Sequence, residues 1–201
     1  MRLLSLSLIL FLCISTTAFA ETKEAQSIER YLNNLKTLQS RFVQTSHDGR
    51  QLSGTFYLNR PGKLRFEYDL PLKDFIVADG TFIYFYDGEL EQQSNTTIGN
   101  SLASFLLRKN VKLSGDIVVT DIKKKAGLLQ VTLSQSDDLD AGSLLLGFTP
   151  SPLQLKKWRV TDSQGYITEV ELSEVKRGIR LDKKLFRYID PNKKSDNYFN
   201  D

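Results

Sequence analysis

Along this chain the apolar positions change period once, near residue 39. From Ala25 to Leu38, the residues Ile28, Tyr31, Leu32, Leu35 and Leu38 recur at helical spacing while Glu29, Arg30, Asn33 and Asn34 fall on the other side. This predicts one amphipathic helix. Beyond it the period drops to two. In Gln51–Asn59, Leu52, Gly54, Phe56 and Leu58 alternate with Gln51, Ser53, Thr55 and Tyr57. In Lys63–Tyr68, Leu64, Phe66 and Tyr68 alternate with Lys63, Arg65 and Glu67, the pattern of strands with one buried face.

Short strands continue at regular intervals, each closed by a turn signal. Phe75–Ala78 precedes Asp79-Gly80, Thr81–Tyr86 precedes Asp87-Gly88, and Glu89–Gln93 follows. Asp-Gly favours a hairpin because both central residues of a type I′ turn need positive φ. The stretch Ser94–Arg108 interrupts the meander with a short predicted helix, capped by Asn100 and carrying Leu102, Phe105, Leu106 and Leu107. Strands then resume at Ile117–Ile122, Leu128–Ser134, Ser143–Phe148, Gln154–Thr161, Tyr166–Ser173 and Arg180–Phe186. The expected fold is mainly β, a strongly curved antiparallel sheet or barrel of about ten strands with its helices on the concave side. A helix inserted between hairpins cannot lie in the wall, so it is expected to cover an opening or an end.

The first twenty residues stand apart. Arg2 precedes an apolar run from Leu3 to Ile14, and Ala18-Phe19-Ala20 supplies a small-residue cleavage site, the form of a secretory signal peptide. Residues 1–20 are therefore expected to be removed, with export to the periplasm and one domain over residues 21–201, of which 192–201 reads as a disordered tail. Cys13, the one cysteine, is preceded by the bulky Leu10-Phe11-Leu12, which argues against acylation at that position. Its departure with the leader excludes disulfides and thiolate chemistry from the remaining chain.

Charge and chemistry narrow the function by exclusion. The 27 basic and 24 acidic residues nearly balance, so no nucleic-acid partner is implied. The single histidine, His47, sits beside Asp48-Gly49 in a turn, and no Gly-rich phosphate loop, CxxC pair or HExxH occurs. No enzyme, metal site or cofactor is expected. The surplus is aromatic: 12 Phe, 8 Tyr and 1 Trp, many on the alternating face of the strands. A half-barrel of this many strands encloses more volume than its side chains readily fill, as lipid-binding barrels do.

The run Gly54-Thr55-Phe56-Tyr57-Leu58-Asn59-Arg60-Pro61-Gly62-Lys63-Leu64-Arg65-Phe66-Glu67-Tyr68, followed by Pro71, resembles the signature of the outer-membrane lipoprotein carrier family, LolA. Ser40–Thr45, Ala78-Asp79-Gly80, Tyr86-Asp87, Phe105-Leu106-Leu107, Trp158-x-Val160-x-Asp162-x-x-Gly165 with Leu172, and Phe186-x-x-x-Asp190-Pro191 extend the likeness over most of the chain. The resemblance implies an incomplete antiparallel β-barrel of about ten to eleven strands, closed by a helical lid over a hydrophobic cavity. It also implies a periplasmic chaperone that receives acylated lipoproteins from an ATP-driven inner-membrane exporter and passes them to the outer membrane or an acceptor there.

On that pattern Phe56, Leu58, Leu64, Phe66 and Tyr68 line the cavity, joined by Phe82, Tyr84, Leu144, Leu146 and Trp158 from later strands, with Leu102, Phe105 and Leu106 as the lid. Arg60 matches the arginine that ties barrel to lid and is linked to cargo release. Its position also continues the inward register of Phe56 and Leu58, where backbone carbonyls can pair its several donors. The central helix departs from the family in using Ser101-Leu102-Ala103-Ser104-Phe105 without proline or methionine. Lys123–Lys125, Lys156-Lys157 and Lys183-Lys184 are basic clusters available to a partner or anionic headgroups. A monomer is expected. A carrier of another lipid or glycolipid, a small periplasmic hydrolase and a ligand-free envelope scaffold remain as other readings.

Overall fold

The computed structural model describes residues 23–99 and 102–193; the expected leader, Asn100 and residues 194–201 lie outside them. The helix α1 (Lys23–Asn34) is followed by β1 (Thr37–Thr45), β2 (Gln51–Asn59), β3 (Lys63–Tyr68), β4 (Phe75–Asp79), β5 (Phe82–Asp87) and β6 (Gln92–Thr97). A 3-10 helix at Leu102–Leu107 precedes β7 (Ile117–Lys125), β8 (Leu128–Gln135), β9 (Gly142–Pro150), β10 (Leu153–Asp162) and β11 (Ile167–Arg177). These strands make one antiparallel sheet in the order β6-β5-β4-β3-β2-β1-β11-β10-β9-β8-β7. Two meanders are thus joined through β1 and β11, and the chain from β6 to β7 must pass from one sheet edge to the other. That connection carries the short helix, which is why it crosses the concave side.

Register shows which residues share a face. Leu58, Leu64, Ala78 and Ile83 stand opposite one another across β2 to β5, as do Phe56, Phe66, Ile76 and Phe85. In the second meander Val170, Trp158, Leu146 and Val131 form an equivalent row. With Ala25, Ile28 and Leu32 of α1 and Phe105, Leu106 and Leu107 of the 3-10 helix, these rows build the core. Gly54 is required within it: an added Cβ would collide with the Glu67 carbonyl oxygen and come 2.7 Å from Phe42 Cε1. Gly54→Ala is expected to lose about 1–3 kcal/mol by overpacking, read as a lower midpoint on denaturant titration.

Four expected elements differ from the structure. Residues 35–38 leave the helix, because Leu38 is needed in β1 opposite Leu58; its burial satisfied both periods. The expected strand Glu89–Gln93 is displaced to Gln92–Thr97, since Asp87 Oδ1 accepts from the amides of Glu89 and Leu90 (2.9 and 2.8 Å) and holds a longer loop. Arg180–Phe186 is not a strand. After Gly178 turns the chain at φ 68, a 3-10 helix at Lys183–Phe186 lies on the convex face of β3 and β4. Asn192, expected in a disordered tail, donates to the Glu91 carbonyl at 3.0 Å.

Also on the convex face, Glu169 accepts from Lys157 Nζ (3.1 Å) and Arg159 Nη2 (2.7 Å). Burial raises its carboxyl, but the two cations outweigh this and hold it below its ordinary value of 4.5. A carboxylate depressed in the folded state contributes stability above its unfolded pKa and loses it as pH falls through the folded value. Glu169→Gln should therefore be less stable than wild type at pH about 7, and the gap should shrink below pH 4.5. A gap independent of pH in denaturant titrations would assign the effect to packing.

Candidate functional site

The concave face is paved with aromatic rings. Phe66 lies 5.0 Å from Phe42, 4.6 Å from Phe56 and 6.1 Å from Trp158 between ring centroids. Phe56 and Trp158 are 5.3 Å apart, so strands from both meanders meet at one apolar surface. Leu58, Leu144 and Leu146 are fully buried beside it, and Leu64 and Tyr68 are partly buried against the same cluster. Phe42 is a further wall residue for which the alternation gives no signal, since Ser40 and Gln44 on its own phase are polar and Val43 on the other is apolar. Toward the β1–β2 hairpin the surface opens into a cleft of about 480 Å³ lined by Leu52, Tyr68, Ile76 and Phe85 with Gln92 and Ser94 of β6. Burial pushes the Tyr68 hydroxyl up to about 12, so it stays a neutral donor, here to Gln44 Oε1 at 2.9 Å.

Phe82 and Tyr84 do not belong to this surface. Tyr84 is opposite Val77, which is opposite Arg65, and this row faces outward. There Tyr84 stacks on Tyr188 at 4.8 Å and Phe82 remains 37% exposed. The inward residues of β5 are Ile83 and Phe85.

The opposite end of the half-barrel is closed by α1 and the 3-10 helix. Phe105 and Leu106 are buried in the core; Leu102 opens the helix, and its side chain lies outside the described part. Arg60, at the end of β2, is only 7% exposed. Its Nη1 donates to the carbonyls of Leu32 and Leu35, the latter at 3.3 Å. Its Nε donates to the Arg108 carbonyl at 3.1 Å, and Nη2 reaches the same oxygen. A guanidinium suits this place because its planar fork spans acceptors on two elements, and the carbonyls at the end of α1 carry the negative end of the helix dipole. Burial nevertheless lowers its pKa. One more bond, from the Gly62 amide to the Leu107 carbonyl at 2.9 Å, closes the same seam.

Other residues in the cap gave no sequence signal. Asn33 of α1 accepts from the Val111 amide (2.8 Å) and donates to its carbonyl (2.9 Å), while Glu29 accepts from the Leu113 amide at 3.1 Å. Arg108 pairs with Asp116 at 2.6 Å and stacks over Phe105. Helix and connection are thereby tied into one piece. His47 lies exposed in its turn, its ring 4.7 Å from that of Tyr166. Among the described residues no cluster of His, Cys, Asp or Glu is placed to hold a metal.

The sequence model of the family described as outer membrane lipoprotein carrier protein LolA matches residues 33–189, which include Arg60, the aromatic wall and the capping connection. The chain belongs to the LolA family. Among its relatives, the outer-membrane lipoprotein carrier protein of Methylococcus capsulatus is 30% identical over 189 residues, 90% of each chain. That of Legionella pneumophila is 31% identical over 194 residues, 92% of this chain and 95% of the relative. An uncharacterized conserved protein from Thermus thermophilus has a similar fold, with a TM-score of 0.51 at 13% identity, over 84% of this chain and 96% of its own. The eleven-stranded open sheet with its covering helix is thus the LolA fold in this chain.

Proposed function

We propose that this protein is a periplasmic chaperone that shields the acyl chains of lipoproteins against its aromatic concave face and carries them to the outer membrane. The observation that carries the reading is the seam at Arg60. A buried cation that bonds backbone carbonyls of α1 and the connection, rather than a carboxylate, joins wall to cap beside the apolar contacts that Phe105 and Leu106 make with the wall. Behind the seam lies a wall of Phe56, Leu58, Leu64, Phe66, Tyr68, Leu144, Leu146 and Trp158. Desolvating acyl chains there is worth roughly 0.8 kcal/mol per methylene, so partial coverage holds a lipid-bearing protein and leaves release possible. The relatives' names supply the cargo class. Residues 1–20 act as the export signal, the donor is an ATP-driven inner-membrane exporter, and the carrier works as a monomer without catalysis or cofactor.

The test is incubation with inner-membrane vesicles that contain the exporter and radiolabelled lipoproteins. Lipoproteins should appear in the soluble fraction bound to this protein, only with ATP. No release, or mass spectra of the recovered protein showing a free glycolipid in place of lipoprotein, overturns the reading.

A further inference from the structure

The two edges of the sheet are built differently. β7 carries Asp121 and Lys123, Lys124 and Lys125, and it is interrupted by a bulge between Val119 and Asp121. Charge and a bulge are the usual protection of an edge against further pairing. β6 has neither. It reads Gln92-Gln93-Ser94-Asn95-Thr96-Thr97, largely exposed, in unbroken register with β5. The Ile98 amide donates to the Thr81 carbonyl at 3.0 Å, which identifies the residues bonded to β5 as every second one from Ile98. Gln93, Asn95 and Thr97 therefore turn their backbone N–H and C=O groups away from β5. Among the described residues nothing pairs with them.

This open edge is also the rim of the cleft. Gln92, Gln93 and Ser94 border it, and Phe85 (41% exposed) and Leu90 (64% exposed) flank the opening. β6 forms one rim of this cleft and the β1–β2 hairpin, at Gln44, Arg50 and Leu52, another, so a chain anchored by acyl groups there has β6 as one of its two ways out.

We propose that β6 receives, by strand addition, the polypeptide that follows the acylated N-terminal residue of the cargo. The proposal rests on the lipoprotein-carrier reading and deepens it. The acylated end sits at Gln92 and the segment runs in the direction of β6 toward Thr97, bonding the outward groups of Gln93, Asn95 and Thr97. Main-chain pairing requires no particular sequence, so one edge serves cargo proteins that share only a backbone. The uncharged Gln, Ser, Asn and Thr side chains favour a polar, uncharged segment, through cross-strand hydroxyl and amide contacts.

Two probes separate this inference from its premise: a triacylated cysteine followed by ten uncharged polar residues, and the same triacylated cysteine as a simple amide. With the isotope-labelled full chain, the peptide probe should slow hydrogen exchange at Gln93, Asn95 and Thr97 about tenfold, and the amide probe should bind without doing so. Asn95→Pro, which removes one outward N–H and leaves the β5 bonds, should weaken the peptide probe about tenfold and leave the amide probe unchanged. Asn95→Lys, which keeps the backbone and places a charge on the edge, should act in the same direction. Equal affinity for both probes with no protection on β6 overturns the inference while the carrier reading stands. Protection without any probe that grows with protein concentration assigns the edge to a second copy and also overturns it. If neither probe binds, the carrier reading falls and this inference with it.

Discussion

Arg60→Leu should load lipoprotein from the inner membrane and fail to pass it on. In the closed arrangement Arg60 bonds the carbonyls of Leu32, Leu35 and Arg108, and separating cap from wall to admit cargo must break them. Hydrogen bonds from a charged donor contribute about 1.5–3 kcal/mol each, so the empty state gains several kcal/mol that the loaded state lacks. Wild-type cargo is held that much more weakly. Leucine removes the preference and adds apolar surface facing the acyl chains, and each 1.4 kcal/mol shifts affinity about tenfold. A two-step assay with separated donor and acceptor vesicles should show near-normal loading and delivery reduced by about a hundredfold or more. Arg60→Lys should fall between, because a single ammonium cannot bond α1 and the connection together. Poor loading by Arg60→Leu, or delivery at the wild-type rate, rules out the seam as the release device.

A second large effect is expected at Phe66, whose ring touches those of Phe42, Phe56 and Trp158. Phe66→Glu removes the centre of the aromatic wall and places a carboxylate where acyl chains are to lie, so loading should become undetectable. Truncating a buried Phe costs about 3–5 kcal/mol, and a charge sealed in apolar surroundings costs more. Phe66 is 8% exposed, however, whereas Phe148 is wholly enclosed. The carboxylate of Phe66→Glu can turn toward water and that of Phe148→Glu cannot. Denaturant titration should find Phe66→Glu folded and clearly more stable than Phe148→Glu. Equal collapse of both would make Phe66 ordinary core and remove it from the cargo surface.

The bounds of β2 and β3 are readable directly from their alternation, because Phe56, Leu58, Leu64 and Phe66 are each separated by a polar neighbour and only one face can be buried. β5 is the opposite case. In Phe82-Ile83-Tyr84-Phe85-Tyr86 both phases are apolar, so residue type cannot say which faces inward. The register with β4 decides for Ile83 and Phe85. The outward phase is apolar for a reason invisible locally: Tyr188 and Asn192, about a hundred residues away, return to meet Tyr84 and Tyr86.

The amino-acid order by itself determined the helix-then-strands plan, the break between β6 and β7, and the inward direction of Arg60, since each rests on spacing over a few neighbouring residues. Only the tertiary structure decided what Arg60 holds, because its acceptors are main-chain carbonyls that every residue carries and no side chain announces. It decided equally that β1 pairs with β11, leaving β6 and β7 as edges. Hydrophobic period specifies that a face is buried; which distant strand or segment buries it depends on closing the whole sheet, and that information is nowhere local.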